Sequence, residues 1–248
     1  CRILGAKNQE LVMPTEANVD PVEIDKFQSL ASRWWDPESE FKPLHEINPL
    51  RVSYIEQKAG GLNAKKILDV GCGGGILAES LASRGASVTG IDMAELSLEV
   101  ARLHLHESEL DIDYQLSTVE AFAEQNGPSF DIVTCLEMLE HVPDPDSVIS
   151  AATRLLRPGG QLFLSTINRN PKSFALAILG AEYVLGLLPR GTHEYRKFIK
   201  PSEISAQLRK SGLKIIDITG MSYNPITKNY TLGRDVDVNY LLTACFDD

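Results

Sequence analysis

The chain has 248 residues, of which 43% are hydrophobic and 23% charged, and this balance is typical of a single globular unit with one large core. The formal net charge of −10 argues against a nucleic-acid partner, because such binding depends largely on basic side chains that neutralise phosphates. The four cysteines include no C-x-x-C pair, which is typical of reduced cytoplasmic thiols rather than of disulfides or a thiolate zinc site.

The N-terminal part of the chain predicts a mobile tail followed by a helix. Residues 1–20 carry no periodic pattern, whereas Asp20 and Pro21 are typical of a helix N-cap and its first turn. Both tryptophans of the chain, Trp34 and Trp35, follow this helix. We expect them to belong to a lid over a binding site or, alternatively, to pack as ordinary core side chains.

A strand followed by a glycine-rich turn is predicted at residues 65–77. Ile67 and Val70 lie in a short apolar run that is typical of a central parallel strand, and the glycines of the G-C-G-G-G sequence at 71–75 let the backbone approach a ligand closely. The dinucleotide fingerprint G-x-G-x-x-G requires glycine where this chain has Ile76. The turn therefore predicts a nucleotide-type pocket that fits NAD poorly.

A second strand is predicted to end at Asp92. In a doubly wound sheet the carboxyl end of this strand lies beside the glycine turn, where an acidic side chain meets the hydroxyls of a ribose. Alternatively, Asp92 only caps the helix that starts near Ala94. The turn and the acid together favour nucleoside binding.

The rest of the chain alternates predicted helices and strands. Helices are predicted at 94–107, 147–156 and 202–210, and strands at 112–116, 130–136, 161–166, 213–219 and 236–245. This alternation predicts an α/β, doubly wound, Rossmann-like fold with a seven-stranded, mostly parallel sheet and helices on both faces. We expect His104 and His106, on the first of these helices, to face solvent.

Three ionisable residues, Glu137, Glu140 and His141, follow the fourth predicted strand. If this stretch is helical, their side chains project from one face. They then either hold a divalent ion such as Mg²⁺ or work without metal, with His141 as a general base that Glu137 or Glu140 orients. A solvated acidic turn before Pro143 is the purely structural alternative.

An unusually long connection spans residues 168–201. Its centre at 174–188 is apolar, and the flanking basic residues are Lys172, Arg190, Arg196, Lys197 and Lys200. This composition predicts that residues 172–200 lie in the interface of an anionic membrane. The alternatives are a buried cap over the substrate and a dimer contact.

Several motifs together resemble the ubiquinone biosynthesis O-methyltransferase family of class I S-adenosylmethionine-dependent enzymes. The resemblance covers nearly the whole chain from about residue 19. It is carried by A-S-R-W-W-D at 31–36, I-N-P-L-R at 47–51, G-C-G-G-G-I-L-A-E at 71–79, E-M-L-E-H-V-P-D-P at 137–145, N-R-N at 168–170, G-T-H at 191–193, K-F-I-K-P at 197–201 and Y-N-P at 223–225.

The resemblance implies S-adenosylmethionine as the cofactor and gives individual residues a role in holding it. The backbone of Gly71 and Gly73 would contact its methionine part, where Asp69 would face the ammonium group and Arg51 the carboxylate. Asp92 would contact the ribose, and Leu136 would line the adenosine pocket. The alternative for Arg51 is a surface ion pair.

The resemblance also implies an O-methyltransferase that acts on polyprenylated catechols, including 2-polyprenyl-6-hydroxyphenol and 3-demethylubiquinol. We expect it to work at the inner face of the cytoplasmic membrane, with other quinone-biosynthesis enzymes as further partners. Metal-dependent members of the family place magnesium at residues matching Glu137, Glu140 and His141. Two alternatives are a methyltransferase for a soluble phenol and a non-catalytic lipid-binding subunit. We divide the chain into a flexible tail at 1–20, a helical lid segment at 21–60 and a methyltransferase domain at 61–248 with an insertion at 168–201.

Overall fold

The computed structural model describes residues 17–175 and 194–247. Most of the predicted tail and the greater part of the apolar segment at 174–188 therefore lie outside the described residues. The described helices are α1 Pro21–Leu30, α2 Lys42–Ala59, α3 Ile76–Ala82, α4 Glu95–Ser108, α5 Val119–Gln125, α6 Pro145–Leu155, the single turn α7 Pro171–Ser173, and α8 Pro201–Lys210. None of the helices in these two ranges combines the length and apolar character that crossing a bilayer requires.

The described strands form one mixed sheet. They are β1 Lys66–Val70, β2 Ser87–Asp92, β3 Ile112–Leu116, β4 Phe130–Leu136, β5 Leu156–Ile167, β6 Leu213–Asn224, β7 Asn229–Gly233 and β8 Asn239–Phe246. Their order is β3-β2-β1-β4-β5-β8-β6-β7, in which β1 to β5 pair in parallel and the last three strands pair antiparallel. The predicted α/β doubly wound fold is confirmed.

The described sheet has eight strands rather than the seven we predicted. The additional strand is β7, which pairs with β6 as a hairpin at the edge of the sheet. Its residues alternate between exposed and half-buried positions, so its pairing depends on the preceding strand rather than on a hydrophobic pattern of its own.

Two apolar clusters cover the two faces of the sheet. Alternate residues of β1 point to opposite faces, so Ile67 belongs to the cluster under α2, α3 and α4, whereas Leu68 belongs to the cluster under α5, α6 and α8. All seven residues of β4 are buried, as expected for a central strand covered on both sides.

The segment between α1 and α2 packs against the glycine turn. Trp34 is 6% exposed, its ring lies 4.0 Å from that of Phe41, and both residues form a small cluster with Ile76. The Trp35 indole N–H donates to the carbonyl of Gly74 at 2.9 Å. Core packing is therefore observed for Trp34, whereas the role of this segment as a lid over a binding site stays a prediction.

We predicted that His104 faces solvent, and this prediction is wrong. Its ring stacks on Trp35 with centroids 3.5 Å apart, and its Nδ1 lies 2.9 Å from the carboxylate of Glu79 on α3. His106 is exposed, as predicted. The difference arises because the N-terminal segment crosses α4 at His104, a tertiary contact that helical periodicity does not reveal.

Candidate active site

A cavity of about 650 Å³ lies at the carboxyl ends of β1, β2 and β4. The strand order reverses between β1 and β4, and ligands of doubly wound proteins bind at such a reversal. The cavity brings together every side chain and glycine that we predicted for the site, namely Arg51, Asp69, Gly71, Gly73, Asp92, Leu136, Glu137, Glu140 and His141.

The glycine turn has backbone conformations that favour glycine. Gly71, Gly73 and Gly75 have φ angles of 72°, 52° and 90°. A Cβ atom on Gly73 would lie 2.1 Å from the ring of Trp34, so this position has no room for a side chain. The Trp34 ring therefore lies directly against the backbone of the glycine turn.

Asp92 connects the glycine turn to the start of α4. One carboxylate oxygen accepts from the Gly73 amide at 2.9 Å, and the other accepts from the Ala94 amide at 2.8 Å. Ala94 is itself the N-cap of α4, and no side chain caps this helix, so the alternative in which Asp92 caps it is wrong. The Asp92 side chain lines the cavity, so its contacts with the backbone and contact with a ribose are compatible.

Asp69 carries a buried oxygen that lacks a partner. The side chain is 2% exposed, and Oδ1 accepts from the Thr134 hydroxyl at 2.7 Å, whereas Oδ2 has no hydrogen-bond partner among the described residues. Burial raises the pKa of this carboxyl to about 7, although Thr134 and the nearby Arg51 oppose the shift. Because a buried polar atom normally has a partner, Asp69 fits a ligand that supplies a donor or a positive charge.

Arg51 on α2 is also incompletely paired. It is 5% exposed, so the surface ion pair that we considered for it is wrong. Its Nη2 lies 3.3 Å from a carboxylate oxygen of Glu137, yet neither Nε nor Nη2 has a partner in hydrogen-bond geometry within the described parts of the chain. Unused guanidinium donors suit a carboxylate. With Asp69, they fit both charged groups at the amino-acid end of S-adenosylmethionine.

The three residues after β4 are not arranged on one helix face, so our helical interpretation is wrong. Only Leu139–His141 form a single 3₁₀ turn, and Glu137 precedes it with a left-handed φ of 54°. The Glu137 carboxylate accepts from Ser165 at 2.7 Å and from Asn239 at 3.1 Å. These contacts aim its side chain at β5 and β8.

Glu140 and His141 have separate partners. Glu140 is 4% exposed and accepts from the Thr166 hydroxyl at 2.8 Å, and burial, followed by the charge of Glu137, raises its pKa to about 7. The Nδ1 atom of His141 lies 3.0 Å from the carboxylate of Glu23 on α1. A solvated acidic turn is therefore wrong, and the carboxylate that accepts the described hydrogen bond of the imidazole is that of Glu23 rather than that of Glu137 or Glu140.

The described arrangement does not fit the predicted metal site. Two carboxylates and an imidazole are suitable donors for a divalent ion, but among residues 17–175 and 194–247 no group of three His, Cys, Asp or Glu side chains is placed to hold one. Glu137 faces Arg51, Ser165 and Asn239, while His141 faces Glu23.

Glu23 and Asn239 are site residues that sequence reasoning missed. Glu23 precedes His141 by more than a hundred positions, and Asn239 follows Glu137 at a similar separation. Neither residue lies in a local pattern that indicates a site. Only the position of Glu23, one turn inside a capped helix next to the predicted lid, could have suggested it.

Comparison with known proteins gives consistent results. A family model described as a methyltransferase domain matches residues 45–218. The chain is 64% identical over 226 residues to a ubiquinone biosynthesis O-methyltransferase of Pseudomonas aeruginosa and 65% identical to one of Azotobacter vinelandii, covering in each case 91% of this chain and 97% of the relative.

Solved structures share the fold at lower identity. Magnesium protoporphyrin IX methyltransferase from Synechocystis PCC 6803, with bound SAH, is similar with a TM-score of 0.67 and 22% identity, over 92% of this chain and 99% of that one. A possible histamine N-methyltransferase from Thermotoga maritima is similar with a TM-score of 0.62 and 15% identity, over 91% and 99%.

Proposed function

Because the chain belongs to the ubiquinone biosynthesis family of S-adenosylmethionine-dependent O-methyltransferases, we propose that its substrates are polyprenylated catechols, among them 2-polyprenyl-6-hydroxyphenol and 3-demethylubiquinol. The observation that carries this proposal is the cavity itself. It brings Asp69 and Arg51, whose side chains each have buried polar atoms without a hydrogen-bond partner among the described residues, into the same space as His141.

We assign the cofactor end of the cavity to the residues around the glycine turn. Oδ2 of Asp69 would accept from the ammonium group of S-adenosylmethionine, and Nε and Nη2 of Arg51, which make no hydrogen bond to the described residues, would meet its carboxylate. Asp92 would accept from the ribose, and Leu136 would contact the adenosine. When bound, this cofactor supplies an activated methyl group on a sulfonium.

The remaining chemistry requires an aligned and deprotonated phenol oxygen. His141 would accept the phenolic proton on Nε2, and the phenolate oxygen would lie in line with the activated methyl carbon, so that a C–O bond would form as the C–S bond breaks and S-adenosylhomocysteine leaves. Trp34 covers the glycine turn and helps to exclude water. Glu140 is buried beside His141 and holds a hydrogen bond from Thr166.

A divalent cation at Glu137, Glu140 and His141 is a separate proposal. It is supported by the donor types and by the mutual repulsion of the two carboxylates, which contributes to the raised pKa of Glu140. A cation there would relieve that repulsion. Since the three side chains do not converge as described, we derive no step through the ion.

Association of residues 172–200 with an anionic membrane is a further part of the proposal, because a long polyprenyl tail resides in lipid. The sequence supports it through the apolar composition of 174–188. Two of the flanking lysines already have acidic partners: Lys172 contacts Asp235 and Asp237, and Lys197 contacts Asp20 and Glu23. Other enzymes of quinone biosynthesis would be partners at the same membrane.

Turnover of matched substrates tests the proposal. We expect the enzyme to methylate a prenylated catechol in detergent with a higher kcat/KM than a catechol without a tail. Equal values would favour the soluble-phenol alternative. Binding of S-adenosylhomocysteine without turnover of either catechol would favour a non-catalytic subunit.

A further inference from the structure

Helix α1 places a carboxylate against the imidazole of His141. Glu23 Oε2 lies 3.0 Å from His141 Nδ1, and the two side chains are only 17% and 15% exposed. The ring of Phe27, one turn further along α1, meets the imidazole edge-on with centroids 5.2 Å apart. The N-terminal helix thus fixes both the direction and the plane of the imidazole.

The Glu23 carboxylate is also held from its other side by a lysine. Its other oxygen, Oε1, lies 3.3 Å from the ammonium of Lys197, which also contacts Asp20 at 3.2 Å. Glu23 is therefore contacted on one oxygen by His141 and on the other by Lys197.

An ionised carboxylate determines which nitrogen of a neutral imidazole carries the hydrogen. Because it only accepts hydrogen bonds, Nδ1 must be the protonated nitrogen, and Nε2 is left with its lone pair. Both residues line the cavity. The described hydrogen bonds of Glu137 and Glu140 go to Ser165, Asn239 and Thr166, so these two carboxylates do not compete for Nδ1.

We propose that Glu23 is a positioning residue that fixes His141 in the tautomer whose Nε2 faces the substrate. The inference rests on the proposed function, since it assigns the partner of the proton acceptor in that reaction. It also makes α1 part of the active site rather than only a lid. Lys197, in the 3₁₀ turn Tyr195–Lys197 near the end of the long connection, holds the carboxylate from the other side.

The test uses Glu23→Gln, Glu23→Asp and the control Asp25→Asn, which alters an exposed carboxylate on the same helix. A glutamine amide can donate to Nδ1 and so favours the opposite tautomer. We expect Glu23→Gln to lower kcat on the order of 100-fold, because a general base supplies roughly 10²–10⁴-fold of a rate enhancement. KM for the catechol and the Kd for S-adenosylhomocysteine should stay unchanged.

Glu23→Asp should recover part of kcat, and Asp25→Asn should match the wild type.

Nitrogen-15 NMR of the imidazole of His141 gives a readout that does not depend on turnover. In the wild type we expect the neutral ring to carry hydrogen on Nδ1, and in Glu23→Gln on Nε2. An unchanged tautomer, an unchanged kcat, or equal loss of cofactor binding in the glutamine and aspartate variants would overturn the inference. If the wild type fails to methylate any catechol, the proposed function is wrong, whereas the spectrum still reports directly on the Glu23–His141 contact.

Discussion

Asp69 combines burial with an oxygen that has no described partner, and with its proposed ammonium contact this combination would link cofactor affinity to pH. Its pKa of about 7 in the free protein lies above the ordinary value, so the carboxyl is largely protonated below pH 7. An ammonium group beside it requires the charged form. Binding must therefore release a proton below pH 7 and need not release one above it.

We accordingly expect the affinity for S-adenosylhomocysteine to rise with pH, by up to about tenfold per unit, until it levels off near pH 7. Calorimetry in buffers of different ionisation enthalpy should show proton release over the same range. Asp69→Asn should bind more weakly and lose this pH dependence. A wild-type affinity that is flat from pH 5.5 to pH 7 would contradict the assigned role of Asp69.

Chelation separates the two proposals for Glu137, Glu140 and His141. If His141 is the proton acceptor, dialysis against EDTA should leave turnover intact, and His141→Ala should be far more damaging than Glu137→Ala or Glu140→Ala. If a cation is held there, EDTA should abolish turnover without changing cofactor binding, and all three variants should be similarly inactive because ligands act as a unit. Turnover and S-adenosylhomocysteine affinity, measured in parallel, decide between them.

At the scale of elements, the turn after β1 and the lid segment depend on each other. Gly73 has a positive φ, and a methyl group there would collide with the ring of Trp34. We expect Gly73→Ala to weaken S-adenosylhomocysteine binding by at least tenfold and to shift tryptophan fluorescence to the red as Trp34 gains exposure. Gly127→Ala is the matched control, because nothing lies within 4 Å of its added methyl group. Equal behaviour of the two variants would show that the lid does not rest on the turn.

The elements also show what the sequence can and cannot predict. The glycine turn, Asp69 and Asp92 were predictable because each lies at the end of a strand with a strong local pattern, and doubly wound topology fixes where such ends meet. The partners of Glu137 and His141 were not predictable, since Asn239 and Glu23 reach the cavity from opposite ends of the chain. Helical periodicity misplaced Glu137 because hydrogen bonds to β5 and β8 hold it before the 3₁₀ turn.

For the whole molecule, charge distribution bears on the proposed membrane contact. The net charge of −10 opposes an anionic surface, but screening limits the reach of each charge to roughly 8 Å at physiological salt. Basic residues near the surface contribute about 1 kcal/mol each, and apolar side chains of 174–188 add to this. Local composition can therefore outweigh the net charge.

We expect wild-type protein to co-sediment with phosphatidylglycerol vesicles and a variant with Leu176→Glu and Leu187→Glu to remain in the supernatant. The variant should still bind S-adenosylhomocysteine and should lose activity on a long-tailed catechol far more than on a short one. Leu103→Glu, at an exposed leucine of α4, is the control for adding negative charge elsewhere. Wild-type protein that does not co-sediment with the vesicles would contradict the membrane proposal. A double variant that fails to fold would indicate that residues 174–188 belong to the core.

The central claim is that this cavity joins a methyl donor to a prenylated catechol, and isotope transfer tests it most directly. The enzyme is incubated with S-adenosylmethionine labelled with carbon-13 in its methyl group and with 3-demethylubiquinol carrying a short prenyl tail, and the product is analysed by mass spectrometry and NMR. We predict one labelled methyl group on a phenolic oxygen at a rate that falls by at least tenfold in Asp92→Ala, which leaves the ribose hydroxyls without their charged acceptor. Absence of label from the catechol, or undiminished transfer by Asp92→Ala at a cofactor concentration below KM, would contradict the account.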